Sequence, residues 1–211
     1  MAAYILIELI KDPLLLQRVR TELLTATTTS DPSQINSSTI DIQALCSLPL
    51  LSSVYKECLR LRASIPLTRR LRNSIEIDGN LLKANNFILA PSWLAHMDPN
   101  VWATPDHPVE AFWAERFLRK EGGSGNNIKA GDFFPYGGGS IICPGRFFAK
   151  QEILAAVMMV VMRFDLQFVA NVKLDGKTES ERGPGVENCE SRGIIPLDRD
   201  VLVQMRRRTS C

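Results

Sequence analysis

The residues best suited to chemistry lie in one run, residues 133–149, which reads FFPYGGGSIICPGRFFA. Three consecutive glycines, Gly137 to Gly139, allow backbone angles and close approaches that a Cβ atom would forbid, so the loop can lie against a large planar partner. Cys143 follows this loop. Pro144 suits the first position of a helix, which we predict over Gly145 to Arg163. The sequence therefore predicts a cysteine at a helix N-terminus.

A cysteine in that place is predisposed to lose its proton. Unpaired amide donors and the positive end of the helix dipole favour the thiolate, and a bound metal completes the deprotonation. A single protein thiolate is the ligand that donates electron density to a haem iron and favours O–O cleavage. The alternative is that Cys143 is a buried, unreactive cysteine beside a turn, which is the commoner state of a free cysteine. Only the surrounding pattern argues against it.

That pattern resembles the haem-binding loop of the cytochrome P450 family of haem-thiolate monooxygenases. An aromatic residue, two residues, Gly, three residues, Cys, one residue and Gly are matched by Tyr136, Gly139, Cys143 and Gly145. The resemblance makes these residues the binding site of haem b and Cys143 the axial ligand of its iron. Tyr136 stands where Phe is usual, and Ile141 stands where many members have an Arg or His that holds a haem propionate. In style the loop is nearest to the branch of the steroid 7-hydroxylases, prostacyclin synthase and their fungal relatives.

A second pattern places Glu57 and Arg60 three residues apart on a helix predicted over about residues 49–61, so both project from one face. It resembles the ExxR pair of the family, and residues 113–117, WAERF, resemble its Pro-Glu-Arg-Phe segment with Ala114 in place of Pro. The resemblance implies that Arg116 joins Glu57 and Arg60 in a buried, structural charge network behind the haem. The alternative is an exposed helical ion pair, which contributes only about 0.3–0.5 kcal/mol.

The segment after this helix breaks at Pro66 and enters an extended run. In the family this segment lines the substrate pocket, for which Ile65 and Pro66 are candidates, and its basic residue reaches a haem propionate. Counting from the ExxR pair places Arg69 there. Arg70 is adjacent, and the choice stays open because a slip of one residue inverts the faces of a strand.

The remaining patterns predict ordinary elements. Asp12 and Pro13 open a helix that runs to about Leu24. Asp78 and Gly79 form a hairpin turn. Asn85 and Asn86 occupy the place where relatives usually have glycine, and asparagine tolerates left-handed backbone angles better than most residues. Further predictions are a surface loop (Thr25–Thr39), β-prone runs (Ser74–Ile77, Leu81–Lys83, Phe87–Ala90, Phe164–Val169, Val201–Met205), a flexible connector (Gly122–Asn127) and a polar, irregular segment (Val172–Arg192). The helix after Cys143 is apolar nearly all round from Ile153 to Met162 and is predicted to lie in the core.

The two histidines of the chain, His96 and His107, have no cysteine at zinc-ligand spacing. Each is interpreted as a structural or surface residue. His96 belongs to the run HMDPNVW, which resembles the His-x-Asp-Pro-x-x-Trp turn of the family. Pairing Cys143 with His107 in a hydrolase has no support, because no nucleophile motif surrounds either residue.

Length shapes the expected organisation. The 211 residues suffice for one ordinary domain or two small ones, whereas members of the family are more than twice as long. The resemblance implies a mainly α fold with small β-sheets, the C-terminal half of the cytochrome P450 fold, as one partial domain over residues 1–211. Residues 1–13 resemble the end of the long central helix of the family, beyond its oxygen-activating acid and threonine. We therefore expect a truncated chain with apolar surfaces exposed where the other half would pack.

Composition excludes several function classes. A net charge of +2 does not indicate nucleic-acid binding, and Arg206 to Arg208 are interpreted as a solvated chain end. Five irregularly spaced cysteines favour a reducing compartment over a disulfide framework. No signal peptide or transmembrane segment is visible. For a full-length relative, the family implies the cytosolic face of the endoplasmic reticulum membrane.

The implied activity is insertion of one atom of O2 into a small apolar organic substrate, a steroid, lipid or secondary metabolite, with electrons from an NADPH-dependent reductase. Arg146 and Lys150 lie one helical turn apart where the family presents a basic face to that reductase, and an ordinary solvated face is the alternative. Two other functions remain open. One is a haem-thiolate isomerase or dehydratase that does not use O2, and the other is a non-catalytic fragment.

Overall fold

The computed structural model describes residues 1–36, 38–118, 128–129, 131–172, 177–179, 193–194 and 200–208. Its α-helices are α1 (Ala2–Lys11), α2 (Pro13–Leu23), α3 (Ile42–Ser47), α4 (Pro49–Arg62), α5 (Ser92–His96), α6 (Pro99–Trp102) and α7 (Arg146–Arg163). Its strands are β1 (Ala63–Ser64), β2 (Pro66–Arg70), β3 (Ile75–Ile77), β4 (Asn80–Leu82), β5 (Phe87–Pro91), β6 (Phe164–Val172), β7 (Thr178–Glu179), β8 (Gly193–Ile194) and β9 (Asp200–Arg207). The predicted mainly α fold with small β-sheets is confirmed.

Helix α4 lies at the centre of the helical core. Ten of its fourteen residues are buried, while Pro49 and Lys56 are exposed. Helices α1 and α2 pack against both α4 and α7, and the apolar residues of all four helices form one cluster. The helix that carries Glu57 and Arg60 is therefore surrounded by other elements, and its polar side chains must find partners inside the protein.

The N-terminus of α4 is held by a side chain from another helix. Leu48 at its N-cap supplies no side-chain acceptor. Instead, the two carboxylate oxygens of Glu22 on α2 accept from the backbone N–H groups of Leu50 and Leu51, each at 2.8 Å. A negative charge at this end also complements the helix dipole. This contact fixes α4 against α2, and the sequence pattern gave no sign of it.

The local predictions for α2 and for the hairpins are confirmed. The carboxylate of Asp12 accepts from the backbone N–H groups of Leu14 and Leu15, and α2 ends at Leu23 in a short 3-10 turn. Asp78 and Gly79 have φ values of 48° and 75° and connect β3 to β4. Asn85 has φ 71° and closes the longer connection between β2 and β5.

The C-terminal elements differ from the predictions in their bounds. Helix α7 begins at Arg146 with Gly145 as its N-cap, so Pro144 lies in a turn and not at the first helical position as predicted. The apolar run of α7 supplies core residues, as predicted: Leu154, Val157, Met158, Val161 and Met162 are buried. Strand β6 continues beyond Val169 to Val172 because its last residues pair with β9 and two of them are buried.

Other sequence predictions fall wholly or largely outside the described residues. The connector Gly122–Asn127 is one of them, and so is most of Val172–Arg192. Within that second segment, Thr178 and Glu179 form β7 and pair with β6, where the sequence predicted irregular structure. Among the helices that the structure describes, none is both long and apolar enough to cross a bilayer.

Candidate functional site

Glu57 is the centre of a fully buried charge network. Its carboxylate accepts from Arg60 through Nε to Oε2 at 2.8 Å and through Nη2 to Oε1 at 2.8 Å. Arg116, far along the chain, donates its Nε–H to Oε1 of the same carboxylate at 2.9 Å. All three side chains are inaccessible to solvent. The structure thus brings together the three residues that the resemblance assigned to one network.

The remaining guanidinium donors of the network bind backbone carbonyls. Arg60 donates from Nη1 to one backbone carbonyl and from Nη2 to another, each at 2.8 Å. Arg116 also donates from each of its two Nη groups to a backbone carbonyl. These carbonyls belong to His96, Trp102, Val109 and Ala111. A buried charge is tolerated only when it is paired and its donors are satisfied. The network therefore ties the segment 96–111 to α4.

His96 connects the charge network to the cysteine loop through two hydrogen bonds. Its carbonyl accepts from Arg60, and its ring nitrogen Nε2 accepts from the backbone N–H of Phe134 at 3.1 Å. The aromatic rings of Phe133 and Phe134 lie against the imidazole, with centroids 5.3 and 5.6 Å away. His96 is fully buried. The segment that leads into the cysteine loop is thus hydrogen bonded to His96, which is itself bonded to Arg60 of the network.

Burial lowers the pKa of His96 to about 4, and the nearby Arg60 acts in the same direction. The imidazole is therefore neutral near pH 7, as an acceptor at Nε2 requires. His96 is thus a structural histidine, but its contact with the loop was not predicted from the sequence. The available signal was the His-x-Asp-Pro-x-x-Trp pattern that begins at His96. Within this run, Trp102 donates its indole N–H to the carbonyl of Ala95 at 2.7 Å.

The cysteine loop is a tight backbone structure with an exposed thiol at its end. Gly137 and Gly139 have φ values of 78° and 67°, which L side chains rarely adopt. The backbone N–H of Cys143 donates to the carbonyl of Tyr136 at 3.0 Å and closes the loop. The carbonyl of Cys143 accepts from the guanidinium of Arg146 at 3.0 Å. The residue itself is exposed, so it is not the buried, unreactive cysteine of the alternative interpretation.

Tyr136 connects the loop to α4 a second time. Its hydroxyl is hydrogen bonded to the hydroxyl of Tyr55, a buried residue of α4. Burial raises the pKa of Tyr55, and the bond to Tyr136 raises it further. The Tyr55 hydroxyl is therefore neutral near pH 7 and keeps its proton for hydrogen bonding. Tyr55 was not singled out from the sequence, because no local pattern shows which loop residue a helix will meet.

The structure separates Arg69 from Arg70. Strand β2 pairs antiparallel with β5, and adjacent residues of a strand face opposite sides. Arg69 donates from Nη2 to the carbonyl of Gly138 at 2.9 Å, whereas Arg70 donates to the side chain of Asn85. Of the two, Arg69 is therefore the one that lies beside the cysteine loop. Ile65, just before this strand, and Pro66, its first residue, are the candidates for the substrate wall, and both are half-buried.

The residues around Cys143 fit a haem. Residues close to it in sequence expose large apolar side chains, with Ile141 65%, Phe147 65% and Phe148 67% exposed. A Cβ atom at Gly145 would stand 3.8 Å from the sulfur, so glycine keeps that side of the thiol open. One soft thiolate, exposed apolar residues before and after it in the chain, and the guanidinium of Arg69 suit an iron held in a flat, apolar group that carries carboxylates.

The two basic residues after the cysteine differ in their surroundings. Lys150 donates from Nζ to the carbonyl of Cys46 at 2.7 Å, and burial lowers its pKa. Arg146 makes an exposed bond to the carbonyl of Cys143 and lies over the exposed ring of Phe147, 4.2 Å from its centroid. The geometry favours a structural use of the Lys150 charge, whereas Arg146 lies at the surface.

Comparisons with known proteins identify one family. A sequence profile described as Cytochrome P450 matches residues 2–186. The chain is 40% identical over 210 residues to Cytochrome P450 monooxygenase calL of Penicillium decumbens, across 98% of this chain and 39% of that protein. It is 30% identical over 237 residues to Cytochrome P450 monooxygenase fsoE of Humicola fuscoatra, again across 98% of this chain and 39% of that protein.

A mammalian relative agrees with the fungal ones. The chain is 32% identical over 160 residues to Cytochrome P450 7A1 of Rattus norvegicus, across 70% of this chain and 31% of that protein. The chain therefore spans about two fifths or less of the length of these three curated relatives.

Replacing Glu57 tests the charge network. Glu57→Gln leaves two buried guanidinium groups without their carboxylate, and we expect it to lower the free energy of unfolding by roughly 3–5 kcal/mol. Glu115→Gln is the matched control, because Glu115 forms an exposed pair with Arg18, and its loss should cost below about 1 kcal/mol. Urea denaturation of both variants provides the comparison. Equal, small losses would show that the network does not hold the fold.

The pH dependence of stability tests His96. The folded pKa of about 4 lies below the ordinary value of 6.5. The unfolded chain therefore takes up a proton between these values and the folded chain does not, so stability is lost as pH falls from about 6.5 to 4. This contribution amounts to about 3 kcal/mol at most.

The expected loss is measured as the difference in free energy of unfolding between pH 7 and pH 4.5. His96→Gln keeps an acceptor oxygen but does not titrate, so its difference should be smaller by about 2–3 kcal/mol. His107→Gln, at a half-exposed histidine, should behave as the wild type does. An identical difference in the free energy of unfolding for all three proteins would show that His96 does not contribute to the pH dependence of stability.

Proposed function

The chain belongs to the cytochrome P450 family, and on this premise we propose that it supplies the haem-ligating half of a haem-dependent monooxygenase. The observation that carries the proposal is that Cys143 is exposed at the end of a loop that is closed by a backbone hydrogen bond and contains two left-handed glycines. When bound, haem b supplies an iron that activates O2 for insertion of one oxygen atom into an apolar organic substrate.

Each residue of the site has a separate role in this proposal. Cys143 gives its thiolate to the iron, and the loop residues Tyr136, Gly139 and Gly145 hold that sulfur exposed. Arg69 pairs its guanidinium with a haem propionate, which its position beside Gly138 supports. Ile141 is exposed and apolar where many members of the family place a second basic residue, so this position adds no basic group to that of Arg69.

Glu57, Arg60 and Arg116 act structurally in this proposal. Their donors and acceptors are already used within the protein, and none of the three is accessible to a substrate. Their contribution to the reaction is the rigid backing of the segment that leads into the cysteine loop. We therefore place no catalytic step on them.

The substrate, redox partner and location follow from the family for a full-length protein. We infer a small apolar substrate, as the family resemblance implies, with the half-buried Ile65 and Pro66 in the substrate wall. An NADPH-dependent reductase supplies the electrons, and the cytosolic face of the endoplasmic reticulum membrane is the location that the resemblance implies for a full-length relative. The fungal relatives compared above are named monooxygenases, which favours O2 chemistry over isomerisation or dehydration.

Removing the thiol tests the ligand assignment. We expect haem-loaded wild type to show the thiolate-type shift of the main absorption band in the reduced, carbon-monoxide-bound state, and Cys143→Ser to lose it completely. Cys46→Ser, at a half-buried cysteine, is the matched control and should keep the shift. The same pair can be measured with the chain joined to the preceding segment of the Penicillium relative. A shift that survives in Cys143→Ser would exclude this ligand.

The two adjacent arginines provide a matched test of the propionate contact. A charge-assisted hydrogen bond contributes about 1.5–3 kcal/mol, so Arg69→Ala should weaken haem binding roughly 10- to 100-fold. Arg70→Ala, which removes a charge that bonds to Asn85 on the hairpin, should change it by less than about threefold. Haem titration followed by absorbance gives both dissociation constants. The opposite ranking would assign the propionate to Arg70.

A further inference from the structure

Two tyrosine hydroxyls join the centre of the fold to the cysteine loop. Tyr55 lies on α4, 4% exposed, and its hydroxyl is hydrogen bonded to that of Tyr136. Tyr136 is the aromatic residue that opens the glycine-rich part of the loop. Its ring packs against the apolar core cluster, a contact that phenylalanine would also make. The hydroxyl therefore adds something that packing alone does not provide, which is a directed bond to a fixed point on α4.

The backbone of the same tyrosine bonds to the cysteine. The carbonyl of Tyr136 accepts from the N–H of Cys143 at 3.0 Å. One residue thus bonds to α4 through its side chain and to Cys143 through its main chain. The chain between them contains the three glycines, which restrict the backbone least of all residues. The position of Tyr136 therefore determines that of Cys143 through the hydrogen bond between their backbones. The flexible glycines between them cannot do so.

Other contacts hold the loop at different points. Arg69 binds the carbonyl of Gly138, and His96 binds the N–H of Phe134 before the loop begins. Neither of these two hydrogen bonds involves Tyr136 or the N–H of Cys143. The tyrosine pair therefore connects α4 to the backbone of the cysteine by a route that these contacts do not share.

We propose that Tyr55 and Tyr136 are positioning residues, whose paired hydroxyls fix the backbone of Cys143 and thereby the place of its sulfur. The use of that sulfur as an iron ligand rests on the proposed function. The positioning itself is a property of the chain's own residues and can be measured without haem.

Amide hydrogen exchange of the wild type gives the first measurement. The N–H of Cys143 should exchange at least tenfold more slowly than its unprotected rate, because its bond to Tyr136 is held from α4. Exchange at the unprotected rate in the wild type would overturn the proposal, and this measurement does not depend on any variant folding.

The second measurement removes each hydroxyl. Tyr55→Phe and Tyr136→Phe should each raise the exchange rate of the Cys143 amide about fivefold, which corresponds to about 1 kcal/mol. The double variant should be no faster than the faster single variant, because either change breaks the same bond. Tyr4→Phe, which removes a hydroxyl from a core residue of α1, should leave the Cys143 amide unchanged.

A general loss of stability has a different signature. If the hydroxyls only stabilise the fold, exchange in α2 and α7 rises by the same factor as exchange at Cys143, and this result would overturn the positioning role. Additive effects in the double variant would also overturn it, since they would show that the two hydroxyls act independently.

Haem titration of the same proteins separates the two proposals. If the tyrosines position the ligand, the variants should show a smaller fraction of the thiolate-type band in the reduced, carbon-monoxide-bound state than the wild type at equal haem loading. Faster, coupled exchange at Cys143 together with a wild type that binds haem without a thiolate band would support the positioning and refute the proposed function. Unchanged exchange in the variants together with a full thiolate band would refute the positioning and support the proposed function.

Discussion

The fold around the candidate site depends on one buried carboxylate. Glu57 receives two guanidinium groups in a place without solvent, and leaving either charge unpaired there would cost several kcal/mol. Because one arginine is adjacent on α4 and the other is far along the chain, the pairing requires that the segment 96–116 fold back on the helix. The backbone carbonyls that complete the two guanidinium groups come from this same segment. The ion pairs and the carbonyl bonds offset the cost of burying three charges, and they also fix a region that has little regular structure of its own.

The cysteine loop gains its order from this arrangement through two connections. The carbonyl of His96 accepts from Arg60, and its ring nitrogen accepts from the backbone N–H of Phe134. Tyr55, two residues before Glu57 on the same helix, meets Tyr136. A single helix therefore backs the loop both before and at its glycine-rich part. The helix in turn is held at its N-terminus by Glu22. The exposed thiol lies at the end of a series of contacts that are otherwise buried or half-buried.

Sequence reasoning predicted the parts of this account that depend on local spacing. Glu57 and Arg60 are one helical turn apart, Asp12 and Pro13 mark a helix start, and Asp78 and Gly79 mark a turn, so each could be located from a few neighbouring residues. The start of α7 was predicted one residue too early, because a proline usually suits the first helical position, whereas Pro144 here belongs to the turn before it. Tyr55, Glu22 and the loop contact of His96 could not be predicted, since their partners are set by tertiary packing. The choice between Arg69 and Arg70 likewise required the facing of β2.

We propose that this fold presents the sulfur of Cys143 to an iron. X-ray absorption at the iron edge of the haem-loaded chain measures that bond directly. We expect one sulfur neighbour at the bonding distance of an iron thiolate, with one haem bound per chain. Iron surrounded by nitrogen and oxygen neighbours alone, in a chain that is folded and loaded with haem, would contradict it.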